Sequence, residues 1–228
     1  DGTLTNNGEY AINVNEGEST LNITTLTGES INLNEGAIVK NSTVGGAAYV
    51  AGNVLFRGDN TFAMITDYGD YYSSTTPSMW TVEAGASLTL TKTDRYGLGY
   101  GDKVTVYGEI EDALTARESL TDADASVNMY GGLVGMTNSA SPDANNVFKA
   151  EDAYLIFGVN GDKSFGNKSG DYYGNYGIDF ANCVVTANGF KFYEDKGNSD
   201  VYFNNSDLLV NGVLMTNDAS SKFTFENS

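Results

Sequence analysis

Six side chains able to do chemistry cluster in one short stretch: Glu109, Glu111, Asp112, Arg117, Asp122 and Asp124. Two carboxylates held about 5–10 Å apart can cleave a glycosidic bond, one as acid and the other as base or nucleophile. An arginine beside calcium-holding carboxylates can instead drive elimination from a uronate polymer. Other chemistries are closed. The chain has no histidine and a single cysteine, Cys183. Zinc sites of the His/Cys type, Ser-His-Asp and Cys-His catalysis, and intramolecular disulfides are all excluded. A net charge of −18 also repels uronate polymers. The expectation is therefore a non-enzyme, with a polysaccharide lyase or glycoside hydrolase using those six residues as the alternative.

Tyrosines mark a second set. Thr66-Asp67-Tyr68-Gly69-Asp70-Tyr71-Tyr72, Asp94-Arg95-Tyr96-Gly97-Leu98-Gly99-Tyr100 and Gly170-Asp171-Tyr172-Tyr173-Gly174-Asn175-Tyr176 read as loops that project from one side. Tyr68, Tyr71, Tyr72, Tyr96, Tyr100, Tyr172, Tyr173 and Tyr176 are the ligand-binding candidates. Tyrosine combines contact area, little entropy loss and a hydroxyl, which suits a sugar or a protein surface. The blander role for the same residues is to pack loops onto the exterior. Calcium is the one cofactor left open, through Asp67, Asp70, Asp122, Asp124, Asp195 and Asp200. No EF-hand loop or glycine-rich calcium repeat accompanies them, so solvated carboxylates are the expectation. Arg57-Gly58-Asp59 spells an integrin-type tripeptide but fills a turn of the repeat described below. Asn22, Asn41 and Asn167 each begin a glycosylation sequon.

The elements that must position these groups are strands. Hydrophobic residues make up 40% and charged residues only 18%, with Asn, Ser, Thr and Gly supplying the polar balance. Gly and Asn accept the positive φ that tight turns need, so the mix favours short strands over helices. Thirty acidic against twelve basic residues exclude nucleic acid as a partner and disfavour anionic membranes. No apolar run approaches the roughly 20 residues of a membrane span.

An apolar–x–apolar string followed by turn residues recurs. It starts at Ile12, Ile31, Val54, Trp80, Val104, Val127, Asn146, Ile178, Val201 and Phe223, a period of about 23 residues. The same turn at the same phase suits stacked coils, in which equivalent positions lie about 4.8 Å apart. The expected fold is all-β, a right-handed parallel β-helix of about ten rungs forming one domain over 1–228. One interior column should run through Val14, Leu33, Phe56, Val82, Val106, Met129, Phe148, Phe180, Phe203 and Phe225, with its aromatic rings stacked. Cys183 reads as a small buried turn residue, and Asn34, Asn204 and Asn205 as members of an amide ladder.

Strings such as Trp80-Thr81-Val82-Glu83-Ala84-Gly85-Ala86-Ser87-Leu88-Thr89-Leu90 resemble the right-handed β-helix passenger regions of bacterial autotransporters and related adhesin-type surface proteins. The resemblance covers about 12–228 and is architectural. It implies an extracellular or cell-surface location and a role as adhesin or structural stalk. The implied partners are a host glycan or protein surface, or neighbouring domains of the same chain, with no direct membrane insertion. The half-repeat at 223–228 leads to the expectation of a piece of a longer surface protein. The histidine-containing and paired-Asp signatures of β-helix pectin hydrolases are absent. An ice-binding solenoid is the third reading, prompted by Thr89-Leu90-Thr91 and Thr91-Lys92-Thr93 and weakened by the varied outward positions of the repeat.

Overall fold

The structure, a computed structural model, describes residues 12–14, 20–21, 30–67, 78–91, 96–98, 102–130, 133–135, 145–158, 165–167, 175–188, 190–192, 199–212, 215–217 and 222–228. Every strand pairing among them is parallel, in two nine-stranded sheets and one of five strands. The chain visits the three walls in turn. In one coil, Ser78–Val82 lies on the first, Ser87–Leu90 on the second and Tyr96–Leu98 on the third. Lys103–Tyr107 then returns to pair with Ser78–Val82. The fold is a parallel β-helix, as the repeat implies.

Near the N-terminal end one strand covers two walls. Thr43–Val50 pairs with Asp59–Asp67 through Thr43 and Val44, shifts register before Ala47, and pairs again through Val50. Its second half also holds Ile31–Leu33. Further along, the third wall passes to Tyr96–Leu98, which lies alongside Asp59–Asp67. The shift lets the strand bend round a corner without surrendering its ladder.

The interior is one continuous core. In Ala37–Lys40, Gly52–Arg57, Ser78–Val82 and Lys103–Tyr107 of the first wall the apolar side chains alternate inward, with Val39, Phe56, Val82 and Val106 all fully buried. The first-wall column runs Val39, Phe56, Val82, Val106, Ala150, Phe180, Phe203, Phe225. Toward its C-terminal end the rings stack. Phe180 and Phe203 have centroids 4.9 Å apart at 23°, and Phe203 and Phe225 5.0 Å apart at 7°.

The single column expected from the repeat divides among three walls. Val14 and Leu33 pair with each other and with Val50 on the third-wall side. Met129 sits on the second wall, between Leu90 and Phe157. Phe148 belongs to the neighbouring first-wall column, between Val104 and Ile178, and Ala150 takes the place expected for it. The reason is that all three strands of a coil carry the same alternation, so the string recurs within a coil as well as between coils. Coil length varies too, from 17 residues between Val39 and Phe56 to 44 between Val106 and Ala150. Each long sheet is nine strands deep, against the ten rungs counted from the string.

The corner between the first and second walls is the most regular feature. Asn41, Gly58, Asp152, Asn182, Asn205 and Asn227 all adopt a left-handed backbone there, with φ between 46° and 59°. Asparagine tolerates this conformation better than any other residue with a side chain, glycine apart. Gly58 has a reason of its own: a Cβ there would lie 2.0 Å from the Asn41 Oδ1.

Candidate functional site

The 44-residue coil carries the largest departure from regularity, residues 109–126 between Lys103–Tyr107 and Val127–Met129. All six carboxylate-cluster candidates fall in it. An α-helical turn, Ala113–Ala116, is followed by two 3-10 turns, Arg117–Ser119 and Asp122–Asp124. The insertion lies on the outside of the second wall. Ala113 and Ala125 bury themselves there against Tyr154, Ile156 and Val184, with Ile110, Ala116 and Leu120 at the margin. These outward wall residues are apolar because the insertion covers them.

The cluster is largely occupied with holding this shape. Asp112 is the helix N-cap, its Oδ1 accepting from the Leu114 N–H at 3.1 Å. Asp124 closes a capping box, its Oδ2 accepting from both N–H and hydroxyl of Thr121 at 2.9 Å. Arg117 reaches three coils along the rod and pairs with Asp207 at 3.2 Å. Glu111 and Asp122 are exposed, and Glu109 approaches Gly85 of the preceding coil. Of the six, Asp112, Asp124 and Arg117 are thus committed to caps and an ion pair.

Asn182 fastens the insertion to the rod. Its Nδ2 donates to the Ile110 carbonyl at 3.0 Å and to Asp152 Oδ1 at 2.7 Å. Its Oδ1 accepts from the Ala113 N–H at 3.1 Å and from Asn205 Nδ2 at 3.0 Å. The ladder that the sequence suggests near Asn204 and Asn205 therefore exists, but it runs through Asn205, Asn182 and Asp152. The repeat pointed to Asn205; nothing in it singled out Asn182.

Between the insertion and the second wall lies a cavity of about 300 Å³. Asp59, Ser87, Glu109, Leu120, Asp124 and Tyr154 contribute to its lining, and no lysine or arginine does. Ser87 donates to Asp59 at 2.7 Å. Burial pushes the Tyr154 hydroxyl above its ordinary pKa, opposed by its hydrogen bond with Thr186. Such a lining favours neutral polar or cationic groups over anions. The cavity had one signal in the sequence: Asp112 and Thr121-x-x-Asp124 are helix-start patterns inside a strand repeat.

The other candidates are placed as follows. Tyr68, Tyr71, Tyr72, Tyr100, Tyr172 and Tyr173 lie outside the described residues. Tyr96 and Tyr176 belong to walls, not to projecting loops. Tyr96 pairs with Leu133, and Tyr176 with Asn146 and Ser199. Asp70 and Asp195 are also outside the described residues; Asp67 ends a strand and Asp200 pairs with Lys222. Among the described residues no three His, Cys, Asp or Glu side chains converge on a metal-sized site. Arg57 is tied to Glu83 at 2.9 Å, and Asp59 to Ser87, so both ends of the Arg-Gly-Asp turn are engaged within the rod. Asn41 of the second sequon spends its Oδ1 on the Asp59 N–H at 3.1 Å.

Cys183 is a corner residue with no exposure. Its Sγ lies 3.3 Å from the carbonyls of Ala150 and Ala181. Burial pushes the thiol up to about 12. Serine occupies the same corner position at Ser206 and Ser228, and the two are linked by the Ser206 N–H to Ser228 Oγ bond of 3.1 Å. No helix among the described residues is long and apolar enough to cross a membrane. No protein-family model, curated protein or solved structure matches the chain.

Proposed function

We propose that the chain is a non-catalytic rod of a bacterial cell-surface or secreted protein, a stalk or adhesin that holds loops away from the surface. One observation carries this reading. The side chains best suited to chemistry are used to build: Asp112 and Asp124 cap turns, and Arg117 pairs with Asp207. A residue held in a cap is poorly placed to exchange protons with a substrate. The core, the corner ladder and the ring stack all run along the rod, which suits a spacer under load. An extracellular setting agrees with an acidic chain whose one cysteine is sealed in the core. Binding by the tyrosine segments belongs to the same proposal.

A glycan array combined with a depolymerase assay tests it. Binding without turnover supports the adhesin, and silence in both supports the stalk. The cavity shared by Glu109 and Asp124 favours one alternative, a β-helix glycoside hydrolase or lyase. Polysaccharide cleavage that Glu109→Gln or Glu111→Gln abolishes, with the fold intact by circular dichroism, would replace the rod reading with that one.

A further inference from the structure

We infer that Asn211–Gly212 is a site of spontaneous covalent modification, converting to aspartate and isoaspartate while the corner asparagines Asn41, Asn182 and Asn205 are protected by the fold. In the reaction the backbone nitrogen of the following residue attacks the asparagine Cγ. A bond forms between them, and the side-chain nitrogen leaves as ammonia with the backbone proton. Water then opens the cyclic imide at either carbonyl. The step needs a free side-chain amide, a free following N–H and room to close the ring.

Asn211 meets these conditions. It sits in the exposed bend after Asp207–Val210, and both it and Gly212 are solvent-exposed. Among the described residues, a Cβ built on Gly212 would meet nothing within 4 Å, so none of them crowds the ring. Among them too, the one anchor at Asn211 is its own backbone N–H, bonded to the Ala187 carbonyl at 2.9 Å, which the reaction does not use.

Three corner asparagines, Asn41, Asn182 and Asn205, lack the free N–H and the room. Asn41, Asn182 and Asn205 are followed by Ser42, Cys183 and Ser206, all fully buried. The attacking N–H is already donated in each: Ser42 to Asn60 Oδ1 at 3.0 Å, Cys183 to Ser206 Oγ at 3.0 Å, Ser206 to Ser228 Oγ at 3.1 Å. The amides of Asn182 and Asn205 are bound in the ladder. Asn188, which also precedes a glycine, has its amide held by the Gly158 carbonyl. Stacking that fixes the rod thus shelters Asn41, Asn182 and Asn205 and leaves Asn211 open. Each conversion adds one negative charge, and the isoaspartyl form lengthens the main chain where the second wall hands over to the third.

The test is to age the folded protein in mildly alkaline buffer, label isoaspartate with its methyltransferase, and locate the label by peptide mapping. Label should appear in the Asn211 peptide while Asn41, Asn182 and Asn205 stay unlabelled until urea unfolds the chain. Asn211→Gln should abolish the label in that peptide while leaving circular dichroism unchanged. Early label at the corner asparagines, or none in the Asn211 peptide of the folded protein, would overturn the inference.

Discussion

Replacing Asn182 with alanine tests how the insertion and the rod are joined. The side chain makes four hydrogen bonds, to Asp152, Ile110, Ala113 and Asn205. At about 0.5–1.5 kcal/mol net for each bond, and with the side chain only partly buried, their loss amounts to about 3 kcal/mol. Alanine must also hold the left-handed backbone, at about 1 kcal/mol more. Asn182→Gly avoids that second cost, so it should be milder by up to about 0.5 kcal/mol after glycine's larger chain entropy is counted. Stacked coils need not unfold in one step, so a local probe should accompany urea denaturation. Hydrogen exchange at the Ala113 amide is that probe, because its acceptor is Asn182 Oδ1. It should lose protection in both variants. Protection unchanged at Ala113, or a total loss below about 1 kcal/mol, would refute the joint.

Three further outcomes follow from the same packing. Gly108→Ala places a Cβ 1.9 Å from the Asp152 carbonyl oxygen and 2.5 Å from the Ala153 Cα, both backbone. It should cost about 3 kcal/mol or more in urea titration, since neither neighbour can rotate away. Phe203→Ala opens a hole between two stacked rings and should cost about 3–5 kcal/mol, with Phe203→Leu milder, both read from urea midpoints. For Cys183 the folded thiol is raised above the ordinary 9 to about 12, so its contribution to stability is whole below 9 and is lost as pH rises toward 12. A thiol reagent at pH 8 should react only as fast as the chain opens, and Cys183→Ser, matching Ser206 and Ser228, should abolish the alkaline loss of stability.

Much of the fold was legible because a solenoid repeats its instructions. Phe180, Phe203 and Phe225 share one phase in the sequence and one column in the molecule, and Cys183 was readable as a small turn residue because it shares its place in the repeat with Gly17, Gly36, Gly85, Gly132 and Ser206. The assignment of strands to walls was not legible. Ile31-Asn32-Leu33 and Val201-Tyr202-Phe203 have the same alternation, yet one lies on the third-wall side and the other on the first. A period of two says which side chains point inward and nothing about which wall they line. The site was half legible. The carboxylates at 109–124 stand out by type, but their use as caps depends on backbone geometry that the insertion adopts only against Tyr154, Ile156 and Val184. Asp102 gave no signal at all. It is buried at a corner, where its carboxylate accepts from the Ser78 N–H at 2.7 Å and its carbonyl from the Val147 N–H at 3.0 Å.

The stacking itself is tested most directly by distances between spin labels along the outside of the first wall, in a Cys183→Ser background. Leu55, Thr81, Thr105, Lys149, Asp179, Tyr202 and Thr224 are successive partners on adjacent strands. At about 4.8 Å per strand, labels at 55 and 224 should lie about 29 Å apart, and those at 81 and 224 about 24 Å. The pairs 55/149 and 149/224 each span three steps and should give equal distances of about 14 Å, although their separations along the chain differ. Distances that follow chain separation instead of strand count, or a 55/224 pair as close as 55/149, would contradict the stack of parallel coils.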